Sequence, residues 1–291
     1  MEISAILTRL VKEKILSSTN WSCTALTGGT MSQVYLLKKE TGKAVIIKIN
    51  NTDITEAEAN FLTVYQHVAI LPKIVTVDSR YRYLAYTYIS GSTVNSAGTS
   101  KKEFLQALVS RLINQYHPIS SNESWGRKDA PVKSWVHFLA EEVATAQEIL
   151  APYLRELGIE LAAPSLNRQS QGFPQSLPYL IHGDCGIHNF IFQDKKLTGV
   201  IDPTPIYGFP HYDVIYAFFS SPEDLTRETL NAVFNEMAAI LPDKRKLYEE
   251  VLIGLYQRLA ICVKHHPADL PVYLNAWKYW KEIIGNESFD S

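Results

Sequence analysis

The sequence predicts an α+β chain of two lobes, with a small antiparallel sheet in residues 1–90 and a larger, mainly helical part in residues 91–291. Three observations carry this prediction. Short apolar runs at Ala44–Ile49, Ile74–Val77 and Tyr83–Ile89 are separated by polar or small-residue turns, the mark of strands. From Lys101 onward the apolar residues recur at helical spacing, first as Phe104, Leu105, Leu108, Leu112 and Ile113. A length of 291 residues, 46% of them hydrophobic, suits about two domains or lobes with a substantial core.

In chain order, residues 1–16 scatter acids and bases among apolar side chains and read as an amphipathic helix, not a signal peptide. Leu26–Tyr35 runs from a small-residue turn at Gly28-Gly29 into a strand, and Thr41-Gly42-Lys43 supplies a hairpin turn before Ala44–Ile49. Asp53–His67 is helix-like, with acids in its first turns. Asp78–Arg82 is the turn between the next two strands. Helices are expected over Lys101–His117, closed by Pro118, and over Pro131–Leu157. Gly158–Leu177 is polar and loop-like. Later helices fall near Asp224–Ile240, Lys244–His266 and Leu270–Ile284, separated by Pro222, Pro242 and Pro267.

Composition narrows the partners. A net charge of −2 leaves no basic footprint for nucleic acid. Cys23, Cys185 and Cys262 form neither a disulfide framework nor a metal-ligand spacing. His188, His211, His265 and His266 lack a metal-binding pattern and read as loop or core residues. The most apolar later stretch, Val251–Val263, contains Gln257 and Arg258 and is too short to span a bilayer. A soluble, cytoplasmic protein without a membrane partner is expected, its oligomeric state left open.

The chemistry concentrates between Tyr179 and Asp213. Apolar runs at Tyr179–Ile181 and Phe190–Phe192 flank a polar loop with His182, Asp184 and Asn189, and a third run, Leu197–Ile201, stops at Asp202. An acid and an amide on one loop, with a second acid at the end of the next strand, is the layout of a phosphoryl-transfer site. One acid accepts the acceptor hydroxyl's proton, while the amide and the other acid hold Mg²⁺ against nucleotide phosphates. Two earlier features are ambiguous alone: Gly28-Gly29 reads as a hairpin turn, and Lys48 in Val-Ile-Ile-Lys-Ile reads as a solvent-facing edge lysine.

His182-Gly183-Asp184-x-x-x-x-Asn189, then Ile201-Asp202 and Gly208-x-Pro210-x-x-Asp213, resembles the aminoglycoside phosphotransferase family, which is similar to protein kinases and includes choline kinases. The family's more usual loop is HGDLHPGN; here it is HGDCGIHN, with the His, Gly, Asp and Asn kept. The resemblance implies a two-lobed protein-kinase-like fold and a small-molecule kinase using ATP (or GTP) and Mg²⁺. It implies Asp184 as catalytic base, Asn189 and Asp202 as metal ligands, and Asp213 as a support of the loop. Lys48 would contact the α/β-phosphates and pair with a glutamate of the following helix, Glu58 or else Glu56. Gly29, Thr30 and Ser32 would form the phosphate loop. Tyr86–Gly91 resembles the segment joining the lobes, so Tyr88 lies where backbone groups bind an adenine edge, although an ordinary strand end fits it equally.

Two other classes are weighed against this. A nucleotide-binding regulator without transfer activity would be marked by loss of Lys48, Asp184 or Asp202, and all three are present. A protein kinase would carry DFG and APE segments, and neither is found. Up to Ser90 there are ten Lys/Arg against seven Asp/Glu, and beyond it eighteen against twenty-three. A basic small lobe suits a polyphosphate, and an acidic large lobe, with Glu223, Asp224 and Glu228 among its acids, favours an amine-bearing acceptor such as an aminoglycoside. Solvated helix faces explain the same acids. A neutral sugar-like or macrolide acceptor is the alternative.

Overall fold

The computed structural model describes residues 2–16, 21–26, 32–40, 42–93, 98–119, 124–164 and 177–286. The chain divides into two compact units, Met1–Asn95 with Asn189–Pro205, and Ser96–His188 with Ile206–Ser291.

The first unit opens with α1 (Ile3–Lys12), followed by β1 (Trp21–Leu26), β2 (Gln33–Lys39), β3 (Ala44–Ile49), α2 (Thr52–Val64), β4 (Ile74–Val77) and β5 (Tyr83–Thr87). The strands form one antiparallel sheet in the order β1-β2-β3-β5-β4. Ile6 and Leu10 of α1 pack against Leu37, Val45, Ile47 and Tyr83. Side chains alternate along a strand, so Val45 and Ile47 face α1 while Ile46 and Lys48 face the other way. β1 escaped sequence reading because five of its six residues are exposed, which leaves no apolar alternation to see. The Asp78–Arg82 turn is held from inside: the buried Asp78 carboxylate accepts from Arg82 Nε at 2.7 Å and from Arg9 Nη1 of α1 at 2.7 Å.

The second unit begins with α3 (Lys101–Arg111), whose Ser100 and Glu103 form a capping box. The helix expected to reach His117 stops at Arg111 and gives way to a 3-10 turn at Ile113–Gln115. Then come β6 (Trp125–Arg127), β7 (Pro131–Val132), α4 (Trp135–Leu157) and β8 (Tyr179–Ile181). Pro131 sits in a strand, and α4 starts instead where the Ser134 hydroxyl accepts from His137 N.

The hairpin β9 (Phe190–Gln193) and β10 (Lys196–Val200) belongs again to the first unit. Ser92 and Phe192 exchange backbone hydrogen bonds of 3.0 and 2.8 Å, and Val200 N donates to Ile70 O at 3.0 Å. This approach leaves no room at Gly91: its φ is +140°, and a Cβ there would sit 2.5 Å from Phe192 O.

The chain returns to the second unit with β11 (Ile206–Gly208), α5 (Pro210–Phe219), α6 (Arg227–Phe234), α7 (Lys244–His265) and α8 (Leu270–Asn286). β7-β6-β11-β8 is its sheet. The core stacks Phe218, Tyr248 and Trp280 edge to face. Nine of the ten α5 residues are buried, so the helix carries no amphipathic stripe; Pro210 at its first turn is its one local signal. α6 is shorter than the segment expected near Asp224–Ile240. Among the described residues, no helix is long and apolar enough to cross a membrane, and the three cysteines are free.

Candidate active site

Lys48 lies on the face of β3 turned away from α1. Its Nζ meets Glu58 Oε2 at 2.9 Å and Asp202 Oδ1 at 3.0 Å. The Lys48 and Glu58 side chains are 8% and 2% exposed, so water screens this pair little. Glu58 reaches it from the buried stripe of α2, which also carries Thr55, Ala59, Phe61 and Leu62. That helix starts at Asn51, whose side chain accepts from Asp53 N. Burial works against the ammonium, but Glu58 first and Asp202 next outweigh it and hold Lys48 above the ordinary lysine range.

Asn189 and Asp202 bracket the β9–β10 hairpin. Ile201 N donates to Asn189 O at 2.9 Å, which keeps the two ends of the hairpin together. Asn189 is 4% exposed, whereas the Asp202 side chain is 36% exposed and its backbone is left-handed at φ +55°. One amide oxygen and one carboxylate are hard ligands that fit Mg²⁺, an ion that takes one or two protein oxygens and completes its shell with phosphate and water. Among the described residues no group of three or more His, Cys, Asp or Glu side chains stands ready to hold a metal.

In the second unit the loop His182–His188 is fixed by one face of α5. Asp213, Tyr216 and Ser220 recur at helical spacing and each holds a different point of the loop. Asp213 accepts from His182 N and Gly183 N, both at 2.9 Å, and from the Tyr116 hydroxyl at 2.9 Å. Tyr216 hydrogen-bonds the Asp184 carboxylate. Ser220 Oγ accepts from Ile187 N at 3.0 Å. Complete burial pushes Asp213 up to about 7, against the three hydrogen bonds that favour its anion. Lys101, itself buried, donates to Phe218 O and Ser221 O at 2.8 Å and ties down the end of α5.

Asp184 is part-exposed, with His188 Nε2 at 3.5 Å from its Oδ2. Burial raises its pKa, but the hydrogen bond and charge of His188, then the Tyr216 hydroxyl, leave it below the usual range. An ionised carboxylate there can take a proton. Cys185, next to it, is fully buried, and its thiol is pushed well up, mainly by burial. It is a packed thiol, not a nucleophile.

The structure thus brings Lys48, Glu58 and Asp202 together and pairs Lys48 with Glu58. Tyr88 sits just past β5, exposed, its backbone N donating to Ala44 O. Ser32 precedes β2, while Gly29 and Thr30 lie outside the described residues. Sequence reading missed Tyr116, Tyr216 and Ser220. The spacing of 213, 216 and 220 was the available signal, hidden because α5 was not recognised as a helix.

A kinase-like sheet carrying a lysine–glutamate pair, followed by a helical unit carrying a braced His-Gly-Asp loop, defines a phosphotransferase. Residues 22–249 match the phosphotransferase enzyme family designated APH, and the chain belongs to that family. No curated protein sequence matches it. Among solved structures it is similar to choline kinase from Cryptosporidium parvum Iowa II, with 12% identity and a TM-score of 0.59 over 98% of this chain and 97% of the other. It is similar to aminoglycoside phosphotransferase APH(2")-IIa, solved with streptomycin and ATP, with 16% identity and a TM-score of 0.58 over 93% and 96%. It also resembles a thermostable mutant of APH(4)-Ia, solved with AMP-PNP and hygromycin B, with 14% identity and a TM-score of 0.55 over 96% and 100%. These likenesses show the fold.

Proposed function

We propose that the protein transfers the γ-phosphoryl group of ATP (or GTP) to a hydroxyl of a small molecule. The observation that carries this reading is the buried Lys48, charged and held between Glu58 and Asp202. A lysine so held can be aimed at the α- and β-phosphates. Asn189 and Asp202 would hold Mg²⁺, which supplies neutralisation of the phosphate charge when bound. Gly29, Thr30 and Ser32 would cover the phosphates, and backbone near Tyr88 would meet the base. Asp184 accepts the acceptor's hydroxyl proton while that oxygen bonds to the γ-phosphorus, and the bridging oxygen leaves with ADP. Tyr216 and His188 keep Asp184 ionised and aimed.

Charge totals alone favour an amine-bearing alcohol, such as an aminoglycoside, as acceptor. The test is acceptor-dependent ADP release, with ATP and with GTP, with and without Mg²⁺, across amino sugars, choline-like alcohols, macrolides, neutral sugars and hydroxy acids. Release with at least one class is expected. Tight nucleotide binding with no release from any class would make the protein a nucleotide-binding regulator instead.

A further inference from the structure

One cation of the second unit makes no ion pair among the described residues. Arg258, on α7, has its guanidinium over the Tyr273 ring, 5.0 Å from the centroid, and hydrogen-bonds the Tyr273 hydroxyl. Among the described residues its Nε is buried without a hydrogen-bond acceptor. A buried donor left unmatched is costly, and in a folded protein such a group calls for a partner.

The surroundings show what kind. Arg258 borders a small, partly open pocket, about 20 Å³ in volume, with Tyr216, Ser220 and Gln257. Tyr216 is the residue whose hydroxyl holds the Asp184 carboxylate, so this cavity adjoins the loop of the proposed base. The neighbouring acids are already committed. Glu250 takes Trp135 Nε1 at 3.0 Å and His211 Nε2 at 2.9 Å. Glu142 takes Gln257 Nε2 at 2.9 Å and Arg127 Nη2 at 3.1 Å. Burial brings the Lys101 ammonium down to about 7, so it adds little fixed charge on the Arg258 side, where Glu223 and Asp224 also act on it. Glu228, one of the acids invoked for an amine-bearing acceptor, has a side chain 71% exposed.

We propose that Arg258 binds an oxyanion of the acceptor, so that the enzyme phosphorylates a hydroxyl compound that itself carries a carboxylate or phosphate. The planar fork of an arginine matches either group with two parallel hydrogen bonds. Tyr273 holds the guanidinium in place. The inference rests on Asp184 being the base, because only then does the cavity lie on the acceptor's side of the reaction.

Two measurements test it. In the ADP-release assay, hydroxy acids are compared with their neutral amides, phosphorylated alcohols with their dephosphorylated parents, and amino alcohols form a third arm. Wild type is expected to prefer the anionic member, and the two anionic arms tell carboxylate from phosphate. Arg258→Gln should collapse the anionic-to-neutral ratio of kcat/KM by ~30–1,000-fold, mainly through KM. Arg258→Lys, which keeps the charge and loses the fork, should fall between, and it reports if the glutamine variant does not fold. Separately, the full chain loaded with AMP-PNP and Mg²⁺ is titrated calorimetrically with inorganic phosphate and with lactate. Binding that Arg258→Gln abolishes sustains the anion site even if no compound is turned over, an outcome that would sink the phosphotransfer reading alone. No binding to wild type, or equal binding to both proteins, overturns the inference. So does equal use of anionic and neutral acceptors by wild type. Arg258 would then serve only to brace Tyr273.

Discussion

At Asp184 burial and hydrogen bonding pull in opposite directions, and the bonds win. The carboxylate stays below the usual range with His188 and Tyr216 on it. Replacing it with Asn keeps shape and polarity but removes the proposed proton acceptor. Asp184→Asn is therefore expected to lower kcat by ~10²–10⁴-fold with nucleotide affinity nearly intact. Near-native turnover with a true acceptor would move the base elsewhere. Asp202 serves two masters, Lys48 Nζ at 3.0 Å and the proposed metal. Asp202→Ala should weaken nucleotide binding in the presence of Mg²⁺ far more than in its absence, because both a metal oxygen and a partner of Lys48 go. An unchanged metal dependence in nucleotide titrations would rule the residue out as a ligand. Asp184 and Asp202 stand out in the sequence as candidates because reaction chemistry restricts residue type and spacing tightly. Arg258 does not, since nothing in a linear reading shows that a helix cation makes no ion pair.

α5 is the element on which the loop depends. It was the least legible, because a helix buried on nearly every side shows no periodic stripe, whereas α3 and α4 announce themselves by spacing. Its seat against α7 is tight at Gly254, where an added Cβ would run into Ile215 Cγ2 and touch Phe219. Ile215 is buried and β-branched, so it has little freedom to yield. Gly254→Ala is expected to destabilise the protein by about 1–2 kcal/mol, as overpacking exceeds the gain in helix propensity. It should also lower kcat, because Asp213, Tyr216 and Ser220 shift with the helix. Urea unfolding and turnover of the purified variant check both. Unchanged stability with full activity would show that the contact relaxes without cost. The strands of the first unit were readable for the opposite reason: turns such as Gly42 punctuate them, except beside exposed β1.

At the scale of the whole molecule, acid sensitivity should be traceable to Asp78. The Arg82 side chain first, with backbone N–H groups of Arg82 and Arg80 also contributing, holds its carboxyl well below the usual range despite burial. As pH falls below about 4, the unfolded chain takes up this proton before the folded one does. The stability Asp78 provides is thus present above that pH and lost below it. Asp78→Asn should be less stable than wild type at neutral pH, with the gap closing as the medium is acidified. Thermal melts across pH measure this, and a gap that stays constant down to low pH would show that the carboxylate contributes nothing. Linear order also hid that residues 189–205 pack with residues 1–95. That pairing bears on biosynthesis. Ile70 O, Ser92 and the empty space at Gly91 wait for partners that leave the ribosome only after all of residues 96–188. The amino-terminal unit is translated first yet completed late, with backbone groups open in the meantime to mispairing and to chaperones. A message truncated before residue 189 would yield an unfinished fragment for proteolysis, not a smaller nucleotide-binding protein.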